Sequence, residues 1–199
     1  MLTPMGKTVE PRGTNTPTVV AKEKLVEATI EILRTSPFAE VTTRRISEVA
    51  GIDRSTITRQ FGGLAGLFNE VCNELSNRAR GRMGPSPDLA NILDPDLVLQ
   101  TRLTAWLITS GADVTKLDGQ GVRGAREVMA QRQGELAGVS ERTVFIMNEI
   151  VALASQSFII FGETRRFDPE DITDAVDLIR ELRKLLPEAE AQLGWHDTP

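Results

Sequence analysis

The residues best equipped for chemistry lie between positions 42 and 61. This stretch carries Arg44, Arg45, Arg54 and Arg59, the amide Gln60, and the hydroxyls of Thr42, Thr43, Ser55, Thr56 and Thr58. Arginine can grip guanine with two parallel hydrogen bonds, glutamine can do the same to adenine, and serine or threonine can donate to phosphate. Such groups read DNA only if a rigid element presents them together. The spacing supplies two short helices, about Thr43 to Ala50 and Arg54 to Phe61, around a turn. Gly51 gives the turn its backbone freedom. Asp53 is a good N-cap for the second helix. Ile46, Val49, Ala50, Ile52, Ile57 and Phe61 can form the small core that sets the angle between the helices. Arg54, Ser55, Thr58 and Arg59, with Gln60 beside them, then face outward on a helix that fits a major groove.

The flanking chain must hold this pair in place. Residues 1–17 are rich in Thr, Pro and Gly and read as a flexible arm. From Thr18, residues Leu25, Ala28, Thr29, Ile32 and Leu33 follow the helical period. Pro37 ends that helix. A longer helix runs from about Gly63 to Arg80. Gly81, Gly84, Pro85 and Pro87 then break the chain, which places a DNA-binding domain at 18–80 and a second helical domain at 86–199. In the second domain Ser86-Pro87, Asp94-Pro95 and Asp168-Pro169 each set a capping side chain before a proline. The predicted helices there are 95–111, 121–136, 141–162 and 169–186.

The segment around the turn resembles the DNA-binding domain of the tetracycline-repressor (TetR) family of bacterial regulators. The resemblance rests on Thr42, Arg44, Ile46, Ala50, Gly51, Ile52, Thr56, Ile57, Phe61, Leu67 and Phe68, and covers about residues 18–70. It implies an all-α fold, with an N-terminal three-helix domain containing a helix-turn-helix and a C-terminal helical domain for dimerisation and ligand binding. It also implies a DNA-binding set of Thr42, Thr43, Arg44, Arg54, Ser55, Thr56, Thr58, Arg59 and Gln60. Two positions depart from the family. Its usual aromatic is Thr58 here, and its usual lysine at the start of the next helix is Leu64. Both commonly hold phosphate, so the arginines are expected to replace that grip.

The resemblance further implies a homodimer and a small-molecule effector. The residues offer support of their own. Val144, Val151, Phe158 and Phe161 recur at helical spacing, while Phe145, Ile146, Ile150, Leu153 and Ile160 cover much of the opposite side. A helix apolar nearly all round must be covered on several sides. Ile172, Val176, Ile179 and Leu182 repeat the pattern in the last helix. Together these eight residues, from Val144 to Leu182, are the expected dimer interface, a four-helix arrangement. The expected effector pocket is Leu103, Trp106, Leu107, Val128, Met129, Arg132, Phe145, Asn148 and Glu149, suited to a small, largely apolar molecule. Glu149 either meets a polar group of that molecule or pairs with Arg132 or Arg102.

Composition bounds the rest. Residues 1–80 carry 11 Lys/Arg against 9 Asp/Glu, and the remainder 23 − 11 = 12 against 28 − 9 = 19, giving net charges of +2 and −7. A mildly basic head on an acidic body suits a protein that touches an anion at one end. Gly119-Gln120-Gly121-Val122-Arg123-Gly124 matches a dinucleotide-binding pattern but follows no convincing strand. His196 and Cys72 are the only histidine and cysteine, which leaves no zinc set and no His-based triad. No cofactor, no metal and no enzymatic activity are expected. Val144–Phe161, interrupted by Asn148, Glu149, Ser155, Gln156 and Ser157, reads as too polar to span a membrane, and the expected location is cytoplasmic. The leading function is a ligand-responsive repressor that leaves its operator when an effector binds. The alternatives are a helical module that binds only protein and a catalytic helical protein.

Overall fold

The computed structural model describes residues 18–82, 93–112 and 138–195. Among them are eight α-helices and no strand. α1 (Thr18–Thr35) buries the expected stripe of Leu25, Ala28, Thr29, Ile32 and Leu33. Thr29, which would cost energy in a core if unpaired, donates its hydroxyl to the Leu25 carbonyl at 2.6 Å. After Pro37 a single 3-10 turn, Phe38–Glu40, leads to α2 (Thr43–Ala50), α3 (Ser55–Phe61) and α4 (Leu64–Arg82). The predicted all-α class and the order of the first four helices are those observed.

α5 (Pro95–Thr109) starts at the expected Asp94 cap, whose carboxylate accepts the Asp96 amide at 2.9 Å. Its apolar side does not face away from the first four helices. Leu99, Leu103 and Leu107 enter the same core as Leu25, Ile46, Ile57, Leu67 and Leu75. Trp106 packs edge-on against Phe38 and Phe68, with ring centroids 6.1 and 5.9 Å apart. The core therefore runs across the break that separates residues 18–80 from 86–199 in the sequence.

α6 (Glu141–Arg165) is longer than the predicted 141–162 and is capped by Ser140. It turns at Arg166, in the left-handed region at φ 59°, into α7 (Pro169–Lys184). Asp168 caps α7 as expected, within a reciprocal capping box with Asp171. The predicted helix 169–186 stops early, because Pro187 has no N–H to continue the ladder. The chain restarts as α8 (Leu186–Leu193), with the proline in its first turn, where its missing donor costs nothing. α8 is tied back to the start of α6. Glu190, almost wholly buried, accepts the Ser140 amide and the Thr143 hydroxyl at 3.0 Å each. Arg142 also lies over the Trp195 ring, 4.8 Å from its centre. The predicted helix 121–136, the Gly119–Gly124 pattern, Ser86-Pro87 and His196 lie outside the described residues.

One electrostatic consequence can be measured directly. Hydrogen bonds from Arg82 hold the Asp94 carboxyl below the usual carboxylate range. Burial pushes Asp96 up, but Arg82 and Arg34 outweigh it, so its carboxyl is also held low. Both groups titrate at lower pH in the folded chain than in the unfolded one. Their stabilisation is present above about pH 4 and is lost as pH falls through the depressed folded values. The melting temperature is expected to fall below that pH. Asp96→Asn should flatten the slope, and an unchanged slope would contradict the assignment.

Candidate nucleic-acid interface

The helix-turn-helix is built by local chemistry. Thr42 caps α2, its Oγ1 accepting the Arg45 amide at 3.3 Å, which leaves the hydroxyl hydrogen free to donate. α2 ends at Gly51, at φ 64°, the left-handed conformation that glycine adopts without strain. The amides of Gly51 and Ile52 both return to the Ser47 carbonyl. Ile46 and Ile57 are fully buried between the helices and α1, with Ala50, Ile52 and Phe61 partly buried around them. Val49, expected in this core, is instead exposed. The inward stripe of the short α2 turns from Ile46 to Ala50 four residues on, leaving Val49 outside it.

The second helix begins one residue later than predicted. Arg54 holds the N-cap position without a side-chain bond, because Asp53 has turned its carboxylate onto Ser55. Asp53 Oδ1 accepts the Ser55 amide at 2.8 Å and also the Ser55 hydroxyl, an Asx-type turn. These hydrogen bonds hold the Asp53 carboxyl below its usual range. They also change what Ser55 can do. Its one O–H is engaged, so in this arrangement the side chain can accept from a base amino group but cannot donate to phosphate.

The remaining candidates divide by where they point. Arg54, Ser55, Thr58 and Arg59 are exposed on one side of α3, with Gln60 half-buried beside them. Thr56 turns inward and is buried; its Oγ1 accepts from Arg59 Nη2 at 3.2 Å and so steadies that arginine. Arg44 is exposed on α2 but donates through Nε to Glu48 at 2.8 Å, and Arg45 lies 3.9 Å from Glu40. Thr43 is half-buried at the start of α2. Among the described residues, neither Arg54 nor Arg59 has a carboxylate within ion-pair distance. The two arginines on the outer face of α3 are therefore the available cations of this surface.

Two features were not legible locally. Lys22 of α1 sits 5.7 Å from the centre of the Phe61 ring, which brings a cation to the C-terminal end of α3. That pairing spans 39 positions, so no short motif announces it. Gly66 lets α4 approach α3, since a Cβ there would stand 1.8 Å from the Phe61 carbonyl oxygen.

The other predicted set fares differently. Leu103 and Leu107 are buried and Trp106 is half-buried, all three packed in the core shared with α1–α4. Phe145, Asn148 and Glu149 lie on α6, with Phe145 exposed. Val128, Met129 and Arg132 lie outside the described residues. Arg102, one of two expected partners of Glu149, instead bonds Glu163 at 3.3 Å. Of the expected dimer residues, Val144 and Val176 are buried within their own chain. Val151, Phe158, Ile172 and Ile179 are half-buried, Phe158 against Phe167, while Phe161 and Leu182 are exposed.

Among the described residues every regular element is helical, and the helix-turn-helix presents two arginines without a carboxylate partner on one exposed face. Residues 25–71 match the family described as bacterial regulatory proteins, tetR family. Among solved structures, the chain is similar to the TetR family repressor AlkX from Dietzia sp. strain DQ12-45-1b, implicated in biodegradation of n-alkanes. The identity is 19%, the TM-score 0.53, and the match covers 89% of this chain and 98% of that one, a likeness of fold. No curated protein matches the chain. Residues 25–71 are thus similar to the N-terminal domain of that family, and the chain shares its fold with a TetR family repressor.

Proposed function

We propose that this chain is a transcriptional regulator of the TetR type, a homodimeric, ligand-responsive repressor that places two copies of α3 in successive major grooves of an operator. The observation that carries the reading is the pair Arg54 and Arg59, exposed on α3 without a carboxylate partner. Arg54 reads a base, Arg59 is steadied by Thr56 for the same face, and Thr42 donates to phosphate. Thr43 and Thr58 set the backbone, Gln60 borders the face, and Arg44 contributes once it shares its guanidinium with Glu48. Lys22 strengthens the end of α3 where Leu64 replaces the expected lysine.

The test begins with selection of bound sequences from random duplex DNA, which yields an operator. Arg54→Ala is then expected to cost about 1–3 kcal/mol on that operator and much less on random DNA. Equal weakening on both would make Arg54 a phosphate contact. Failure of the wild-type chain to bind any duplex in a salt-dependent manner would favour a protein-only interaction module.

The dimer is proposed on α6 and α7. Ile150, Leu153 and Phe161 on α6 and Leu178 and Leu182 on α7 are large apolar side chains left exposed. By length and composition alone α6 could cross a membrane, contrary to the expectation from its polar residues, and little of it is buried in its own chain. We assign this face to a second copy, because the exposed Gln156 and Ser157 interrupt it and hydrocarbon chains would offer them no hydrogen-bond partner. A DNA partner and a single cysteine agree with a cytoplasmic location. We assign DNA recognition to residues 18–80 and dimerisation with effector binding to 86–199, joined by α5. With Leu103, Trp106 and Leu107 engaged elsewhere, the effector site centres on Phe145, Asn148 and Glu149 with Val128, Met129 and Arg132. A small, largely apolar effector acts only if it favours the DNA-incompetent spacing, and operator DNA must then weaken effector binding by the same factor.

A further inference from the structure

Away from the recognition face, three helices bring four charges together. Arg34 stands in the last turn of α1, Arg82 ends α4, and Asp94 and Asp96 begin α5. Arg34 Nη2 lies 2.5 Å from Asp96 Oδ1, and Arg82 Nη2 lies 2.6 Å from Asp96 Oδ2. Arg82 also grips Asp94 with two bonds, Nε to Oδ2 at 2.8 Å and Nη2 to Oδ1 at 2.7 Å. Asp96 is only 3% exposed. Each of its oxygens takes a different arginine, so one carboxylate ties the ends of α1 and α4 to the start of α5.

The placement has an electrostatic logic. The arginines sit at helix C-termini and the aspartates at a helix N-terminus, each opposite the helix end that favours its charge. Stability alone does not call for this arrangement, since a buried ion pair gains little over well-packed apolar side chains. What it adds is direction, because a planar guanidinium bonded at two points fixes an angle as well as a distance. The cluster sits at one end of α4, and α3 joins the other. α4 has 19 residues and so spans about 28 Å. A rotation of roughly 5° at the clamp would carry α3 by about 2.4 Å, a large part of the roughly 3.4 Å rise of one base pair.

We propose that Asp96 is a positioning residue for operator binding: with Arg34 and Arg82 it sets the angle at which the DNA-binding helices are carried on α5, and so the half-site spacing the dimer accepts. The inference rests on the dimer-and-operator reading above. It assigns the four charges a role distinct from contact with DNA, since none lies on the α3 face.

The experiment uses the full chain and duplexes built from the selected operator, with the spacing between half-sites changed by one or two base pairs, together with a single half-site duplex. The wild type is expected to prefer one spacing by about tenfold or more. In Asp96→Asn the single half-site is expected to bind within about twofold of wild type, while spacing preference falls below about threefold. Arg82→Ala, which removes the half-exposed arm that also holds Asp94, is expected to act in the same direction and guards against a folding defect in the first variant. An unchanged spacing profile in a folded variant overturns the inference, as does equal loss at every spacing and on the half-site. Loss of folding in both variants also overturns it, by making the cluster a stability element. A wild type indifferent to spacing overturns the dimer-and-operator reading and the inference with it, whereas a wild-type preference left intact in the variants overturns the inference alone.

Discussion

Leu153→Glu is expected to turn the proposed dimer into a folded monomer. Leu153 is 63% exposed at the middle of α6, within the apolar stripe that also holds Ile150 and Phe161. In a lone subunit the glutamate meets water and costs little. In an interface it is an unpaired buried charge, worth about 3–5 kcal/mol against association, or a roughly hundred- to several-thousand-fold weaker dimer. Sedimentation at micromolar concentration, with circular dichroism to verify helix content, measures both properties. Val144→Glu supplies the contrast. Val144 is 2% exposed and faces its own chain, so a charge there should unfold the subunit rather than separate two intact ones. A wild-type protein that sediments as a monomer, or a Leu153→Glu variant that remains a dimer, would sink the proposed interface.

Leu103→Ala is expected to cost about 2–5 kcal/mol and to weaken operator binding without touching DNA. Leu103 is fully buried in α5, yet its surroundings include the core of α1–α4. Against a total stability of roughly 5–15 kcal/mol the loss is large. Because the core is shared, it falls on the elements that carry α3. Hydrogen exchange followed by mass spectrometry separates two outcomes. If α5 and the DNA-binding helices are one cooperative unit, protection in α1 falls together with protection in α5. If residues 18–80 fold independently, α1 keeps its protection while α5 loosens, and operator affinity is unchanged.

These two expectations meet where sequence reasoning and tertiary structure part. Features that depend on near neighbours are legible in the order of residues alone. Gly51 at the turn, Asp94 and Asp168 before prolines, and the buried stripe of α1 all follow from spacings of one to four residues. The outward direction of Arg54 and Arg59 follows in the same way, since α3 must bury Ile57. Even the misplacement of the α3 start is local: Asp53 and its neighbour Ser55 can form either a cap or an Asx turn, and the two differ by one residue.

Which of several apolar faces meets which depends on long-range packing. Leu103, Trp106 and Leu107 form a stripe that a pocket wall or a core could use equally. Phe38 and Phe68, far away in the chain, pack on Trp106, and Leu103 and Leu107 join the same core. Val144 and Leu153 lie on one nearly all-apolar helix, and only the packing around α6 turns the first inward and leaves the second exposed. Arg34 and Asp96 are 62 positions apart, as ordinary as other surface charges until three helix ends converge. The reason is physical: the hydrophobic effect rewards burial without naming the partner, so periodicity specifies that a face is covered and the fold specifies by what.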